Sequence, residues 1–94
     1  MSKNPIEIVT DRLGVSVPSA IATLDLPRDM ANGIWFLDVA RGPSALVVQW
    51  QKDKGFGLTY RKERVAEFGT GCDEVIPSDD IDRVLRTINE KLTY

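Results

Sequence analysis

The side chains that could do catalytic chemistry in this sequence are carboxylates, lysines, arginines and one cysteine, because the chain contains no histidine. Histidine is the commonest general base, it completes Ser-His and Cys-His nucleophile pairs, and it is the usual ligand of transition metals. A reactive cysteine needs an electropositive setting, whereas Asp73 directly follows Cys72. We therefore expect an unreactive thiol.

Two pairs of neighbouring acids, Asp73-Glu74 and Asp79-Asp80, are the remaining candidates for acid-base catalysis or a Mg²⁺ site. Adjacent side chains of a strand point to opposite faces, and the second pair is typical of a helix start. The Gly-x-Gly at residues 69–71 is followed by acids that would repel a phosphate, so it indicates a turn. The sequence predicts no catalytic residue, no metal site and no cofactor, and a carboxylate- or metal-dependent enzyme is the least favoured function.

One segment, from Trp50 to Tyr60, combines aromatic and basic residues. Lys-Gly-Phe-Gly at residues 54–57 resembles the first half of the aromatic strand motif of RNA-recognition domains, and Trp-x-x-x-Lys-Gly-Phe-Gly is similar to the cold-shock domain. In those families strand aromatics stack on unpaired bases while lysines follow the backbone. The resemblance implies single-stranded nucleic-acid binding, with Trp50 and Phe56 as stacking rings and Lys54 as a phosphate contact. Tyr60 completes this candidate set.

The composition is that of an ordinary globular domain. The chain has 94 residues, 43% apolar and 28% charged, and these values predict one domain over residues 1–94. The pattern of helices and strands described below makes it an α+β domain. The formal net charge of −2 gives no overall basic field for nucleic-acid binding. Apolar runs do not exceed four residues, so no signal peptide and no membrane span are expected. One cysteine and no Asn-x-Ser/Thr site favour a reducing compartment, and we expect a cytoplasmic location.

Three apolar segments separated by turn-forming residues predict an antiparallel meander. They cover residues 34–40, 45–51 and 56–61, each starting eleven residues after the last. A weaker strand or extended segment is expected over residues 21–26, where Pro27 closes it. Residues 62–76 have little periodicity and predict a loop, with one short strand at 74–76. The predicted sheet therefore has three or four strands.

Two helices complete the predicted fold. Asn4, Pro5 and Glu7 are typical of a helix start, so a short helix is expected over residues 5–13 with Gly14 as its end. A C-terminal helix is expected after a cap at Ser78. Its apolar residues recur at the helical spacing of a core-covering stripe, namely Ile81, Val84, Leu85, Ile88 and Leu92.

Strand parity assigns the side chains of the meander to two faces. One face is apolar throughout, and the C-terminal amphipathic helix is expected to cover it. Its residues are Trp35, Leu37, Val39, Leu46, Val48, Trp50, Phe56, Leu58 and Tyr60. On this assignment the aromatic residues of the 50–60 hairpin are core residues, which is the alternative to a stacking platform.

The opposite face is polar with an apolar island, which commonly marks a partner surface, although the N-terminal helix or the 21–26 segment could also lie over it. The favoured function is therefore a non-catalytic regulator, adaptor or inhibitor that binds another protein or a second copy of itself. The partner is expected at this face or at a sheet edge. The residues assigned to the interaction are Ile34, Phe36, Val47, Gln49 and Arg61.

Overall fold

The computed structural model describes residues 4–60 and 72–92, which form two helices and one antiparallel sheet. The elements are α1 (Pro5–Ser16), β1 (Ile21–Asp25), β2 (Trp35–Arg41), β3 (Ser44–Gln51), β4 (Gly55–Thr59), β5 (Glu74–Ile76) and α2 (Ile81–Lys91). Each strand pairs with the next in the chain, so β1 and β5 are the edges of the sheet. The α+β class is confirmed.

The sheet has five strands, so the prediction of three or four is wrong. The two edge strands account for the difference. β1 alternates exposed and half-buried residues, and β5 has only three residues, which is too short to show a period in the sequence. β5 coincides with the short strand expected at residues 74–76. The rest of the predicted 62–76 loop falls largely on residues 61–71, outside the described residues.

Helix α1 begins as predicted but ends later. The N–H of Asn4 donates to Oε1 of Glu7 at 3.1 Å, which fixes the helix start. The prediction that Gly14 ends the helix is wrong, because the helix continues to Ser16 and the N–H of Val17 donates to the carbonyl of Leu13 at 2.9 Å. Val17 is buried in the core, and this burial offsets the cost of a helical glycine, about 1 kcal/mol relative to alanine.

Helix α2 begins after Asp80, so the prediction of a cap at Ser78 is wrong. Oγ of Ser78 instead accepts a hydrogen bond from the indole Nε1 of Trp50 at 3.1 Å. A buried indole N–H requires an acceptor, and Ser78 supplies it from the connection between β5 and α2. Asp79 and Asp80 therefore precede the helix, and Asp82 is the acid of its first turn.

One hydrophobic core joins both helices to one side of the sheet, which we call the inner face. Trp35 pairs with Trp50, Leu37 with Val48, and the same register continues across β4. The buried residues that β2, β3 and β4 contribute to the inner face are Trp35, Leu37, Val39, Leu46, Val48, Trp50, Phe56 and Leu58. They form a single buried cluster with Ile6, Val9 and Leu13 of α1 and with Val84, Leu85 and Ile88 of α2.

The tight approach between the β3–β4 turn and β5 requires a glycine. Gly55 has φ +93°, and a Cβ placed on it would lie 2.7 Å from the carbonyl oxygen of Ile76. Neither condition suits an L side chain. In the part of the chain that the structure describes, no helix is both long enough and apolar enough to cross a membrane.

Candidate partner-binding surface

The side of the sheet opposite the inner face is called the outer face. The pairing register places on it Ile21, Thr23 and Asp25 of β1, Phe36, Asp38 and Ala40 of β2, Ala45, Val47, Gln49 and Gln51 of β3, Gly55, Gly57 and Thr59 of β4, and Val75 of β5. This is the face for which a partner was predicted. It is uneven: some of its side chains are fully buried and others are largely exposed.

The centre of the outer face is buried. Val47 is 1% exposed, Gln49 is 0% exposed and Thr59 is also buried, whereas Ile34 and Phe36 are half-buried. Val47 and Gln49 therefore present no free surface in this structure. Arg61, the fifth residue assigned to the interaction, lies outside the described residues. The 21–26 segment does not lie over this face, because β1 extends the sheet at its edge.

The side chain of Gln49 is an unusual feature of the buried centre. Neither Nε2 nor Oε1 has a hydrogen-bond partner among the residues that the structure describes. Its neighbours across the strands are Phe36 and Gly57, which offer no side-chain acceptor or donor. A buried polar group without a partner costs about 1–3 kcal/mol of stability.

The flank of the outer face at β1 is open to solvent. Ile21 is 73% exposed, and Leu26, which follows the strand, is 60% exposed. Met30 in the next loop is also exposed, as are Thr23 and Asp25. These five residues, Ile21, Thr23, Asp25, Leu26 and Met30, are called the β1 flank. At the opposite edge of the sheet, Val75 of β5 is 51% exposed.

A hollow of about 250 Å³ adjoins the β1 flank. Ala40 and Ala45 form part of its wall, and their small side chains leave the space open between the neighbouring strands. Ile21, Thr23 and Asp38 line its outer side. The hollow can accept an apolar side chain, with a carboxylate and a hydroxyl at its rim.

The loop after β1, which contains the exposed Met30, is held by hydrogen bonds within the loop and by one from β3. Oδ1 of Asp29 accepts hydrogen bonds from the backbone N–H groups of Asn32 and Ala31 at 3.1 and 3.0 Å, and these bonds lower the pKa of Asp29. The carbonyl of Asn32 accepts a hydrogen bond from Nε2 of Gln51 at 2.7 Å. Met30 lies in this hydrogen-bonded loop and is 50% exposed.

The residues predicted for nucleic-acid binding, Trp50, Lys54, Phe56 and Tyr60, lie close together in the β3–β4 hairpin. The rings of Trp50 and Phe56, however, are not exposed. Phe56 and Trp50 are buried in the core. Tyr60 is half-buried, donates from Oη to Oε1 of Glu74 at 3.2 Å, and has Nζ of Lys91 4.6 Å from its ring centroid. Burial and the neighbouring Glu74 raise the pKa of Tyr60. Lys54 is exposed in the turn, but Phe56 and Trp50 offer no free ring face beside it.

A shallow groove of about 690 Å³ lies beside the β3–β4 turn. It is lined by two lysines and two aspartates, Lys52, Lys54, Asp53 and Asp79, together with Trp50, Gly55, Val75, Pro77 and Ser78. Since the described lining residues carry two charges of each sign, they give the groove no net attraction for a ligand of either sign.

Two of the four candidate catalytic acids, Asp73 and Glu74, have structural partners. Oδ2 of Asp73 accepts the backbone N–H of Tyr60 at 2.7 Å, and Oε2 of Glu74 lies 3.5 Å from Arg83. Cys72 is half-buried and accepts a hydrogen bond from Oγ1 of Thr59 at 3.8 Å. Within residues 4–60 and 72–92, no three acids or thiols are placed to hold a metal ion.

Comparison with known proteins adds no further assignment: no protein-family model, no curated protein and no solved structure matches this chain. The surface described above therefore rests on the chain's own geometry. Sequence reasoning did not assign Ile21, Leu26 or Met30 to the interaction. The available signal was the uncharged Ile-Ala-Thr-Leu segment between two prolines, which is typical of an edge strand.

Proposed function

We propose that this chain is a non-catalytic protein-binding domain and that its partner binds at the β1 flank. The observation that carries the proposal is the exposure of Ile21, which lines the hollow on the outer face, and of Leu26, which follows the other end of β1. Exposed apolar side chains rimmed by polar residues are typical of partner surfaces. A regulator, adaptor or inhibitor would use such a surface without chemistry of its own.

The edge position of β1 supports the same proposal. β1 pairs with β2 on one side, and its other side is an edge of the sheet. An edge strand can receive an extended segment of another chain through backbone hydrogen bonds, while side chains on alternate positions provide specificity. Natural proteins often protect such edges with lysine or an inward charge, and residues 21–24 contain no charged residue.

The competing functions have less support. Nucleic-acid binding through the Trp50–Tyr60 hairpin requires accessible rings, whereas Phe56 and Trp50 are buried. An enzyme would need a set of converging reactive groups, and Asp73 and Glu74 already have structural partners. A cytoplasmic location and the absence of catalysis remain part of the proposal.

The test is the comparison of two matched variants, Ile21→Asp at the β1 flank and Val75→Asp at the other edge. Both positions are exposed on the outer face, so both variants should fold like the wild-type chain. Each variant and the wild-type chain are used to capture proteins from the source cells, and the captured proteins are cross-linked and quantified by mass spectrometry. Light scattering after size-exclusion chromatography detects a dimer of the chain. We expect Ile21→Asp to lose a specific partner that Val75→Asp retains. Equal retention by both variants would contradict the proposal.

A further inference from the structure

We infer that the partner of the β1 flank is a second copy of this chain, whose β1 adds antiparallel to the first about a two-fold axis at Thr23. The inference rests on the proposed function and specifies its partner. In such a dimer two five-stranded sheets become one continuous sheet, with α1 and α2 of both copies on the same side. Three properties of residues 20–26 support it: their exposure, the order of their side-chain sizes and the position of their charge.

The segment presents apolar surface at the edge of the sheet. Ile21 is 73% exposed and Leu26 is 60% exposed, while Leu24 packs against the core but is only half-buried. Among the described strands, β1 has β2 on one side and no neighbour on the other. An edge strand offers backbone N–H and carbonyl groups to an added strand. A partner strand would therefore cover side chains that the single chain leaves partly in solvent.

The side chains on the inner side of β1 have sizes that fit a second copy. Ala22 and Leu24 pack against the core from this side, and strand alternation extended by one residue at each end adds Ala20 and Leu26. In an antiparallel pair centred on Thr23, Ala22 faces Leu24 of the second copy, and Ala20 faces its Leu26. Each small side chain then meets a large one, an arrangement that lets the two rows interdigitate.

Other arrangements of two β1 strands lose this fit. A parallel pair in register would place Leu24 beside Leu24 and Asp25 beside Asp25, about 5 Å apart. An antiparallel pair shifted by two residues would place either Ala22 opposite Ala22 or Leu24 opposite Leu24. The pair centred on Thr23 is the one that matches both alanines with both leucines. On the outer side it places Thr23 opposite Thr23, a cross-strand pair that is favourable in sheets.

The charge of β1 is compatible with this register. Asp25 is the charged residue of the strand, and the register places it opposite Ile21 of the second copy, at the end of the pair. The two Asp25 carboxylates are then four residues apart along the strands, or about 13 Å. This separation exceeds the screening length of about 8 Å at physiological ionic strength. Their mutual repulsion is therefore weak.

The dimer should be weak and reversible, because a pair of five-residue strands buries less than the roughly 1,200 Å² of a standard interface. Sedimentation equilibrium of the full chain from about 10 µM to about 1 mM should show a monomer–dimer equilibrium. In a ¹⁵N-labelled sample, the amide signals of residues 20–26 should move with concentration and those of β5 should not. In a mixture of ¹³C-labelled and unlabelled chains, NOEs between Ala22 and Leu24 of different copies should report the register.

Substitutions at Thr23 test the position of the axis, because this residue faces itself in the proposed register. Thr23 is exposed, so Thr23→Lys and Thr23→Glu should fold like the wild-type chain. Each alone should weaken dimerisation by at least about tenfold, since two like charges then lie opposite each other. An equimolar mixture should restore association, because a lysine then faces a glutamate. The matched controls, Val75→Lys and Val75→Glu at the other edge, should leave dimerisation unchanged alone and in mixture.

A chain that stays monomeric at about 1 mM, with the signals of residues 20–26 unmoved, overturns the inference. If Ile21→Asp still loses a captured foreign protein in that case, the proposed function stands with a different partner, and if no protein is captured, both are wrong. A dimer that Thr23→Lys and Thr23→Glu do not weaken, or whose moving signals lie in β5, would show that two copies meet elsewhere. NOEs that join Ala22 to Ala22 would contradict the register centred on Thr23.

Discussion

The inner and outer faces of the sheet are built from the same strands but differ in how evenly they are buried. In β2, β3 and β4 the apolar residues of the inner face are buried within one cluster with α1 and α2, and Ala22 and Leu24 of β1 are half-buried against it. The outer face is buried at Val47 and Gln49 and exposed at Ile21 and Val75. The inner face therefore serves stability throughout, whereas the outer face combines a buried centre with edges that are free to contact another chain.

The largest expected difference in the free energy of unfolding is between a variant of the inner face and a variant of the β1 flank. Leu37→Ala removes a fully buried side chain between the helices and the sheet, so the free energy of unfolding should fall by about 2–5 kcal/mol. Ile21→Ala, on an exposed side chain of the outer face, should change it by less than about 0.5 kcal/mol. Urea denaturation of the two variants measures the difference. Similar losses in both would show that the β1 flank is part of the core.

At the centre of the outer face we expect a smaller change, and here the free energy of unfolding should rise rather than fall. Gln49→Met replaces a buried amide without a described partner by an apolar side chain of similar length, so the free energy of unfolding should rise by about 1–3 kcal/mol. Gln51→Met is the matched control in the same strand, because Nε2 of Gln51 donates to Asn32 and its removal should not stabilise the chain. Destabilisation by Gln49→Met would mean that its amide has a polar contact in solution.

A still smaller change in the free energy of unfolding is expected in α1, which packs in the inner-face core. Gly14 lies inside α1, and a Cβ placed there meets nothing within 4 Å. Gly14→Ala should therefore raise the free energy of unfolding by about 0.4–1 kcal/mol, since alanine loses less backbone entropy on folding. Thermal unfolding followed by circular dichroism measures it. A loss of stability would indicate that α1 ends near residue 13, as the sequence alone suggested.

The smallest expected effect concerns the loop of the β1 flank. The hydrogen bonds from Asn32 and Ala31 lower the pKa of Asp29, so its carboxylate should titrate below 3.8 in an NMR pH series. Because the folded-state pKa is lowered, the stabilising contribution is present above the unfolded pKa and is lost as the pH falls through the folded one. Asn32→Ala keeps the backbone donors and should preserve most of the shift. A pKa at or above 3.8 would show that the loop is not preorganised in solution.

The elements and the inner face could be predicted from the sequence because both depend on local periodicity. Alternation placed Trp35, Leu37 and Val39 on one face, and the same register is found in the structure. The position at which α1 ends depends on the burial of Val17. The role of Ser78 depends on its hydrogen bond with Trp50. These are contacts between residues far apart in the chain, which no local pattern contains.

The order of the strands has a consequence for how the chain folds. Each strand pairs with its neighbour in sequence, so the sheet can form by successive closure of local hairpins. The two helices cannot do the same, because Arg12 of α1 and Asp82 of α2 meet at 3.1 Å although they are 70 positions apart. Their docking joins the two ends of the chain over one core. Shortening either helix should therefore expose the apolar residues of the other and make the inner face prone to aggregation.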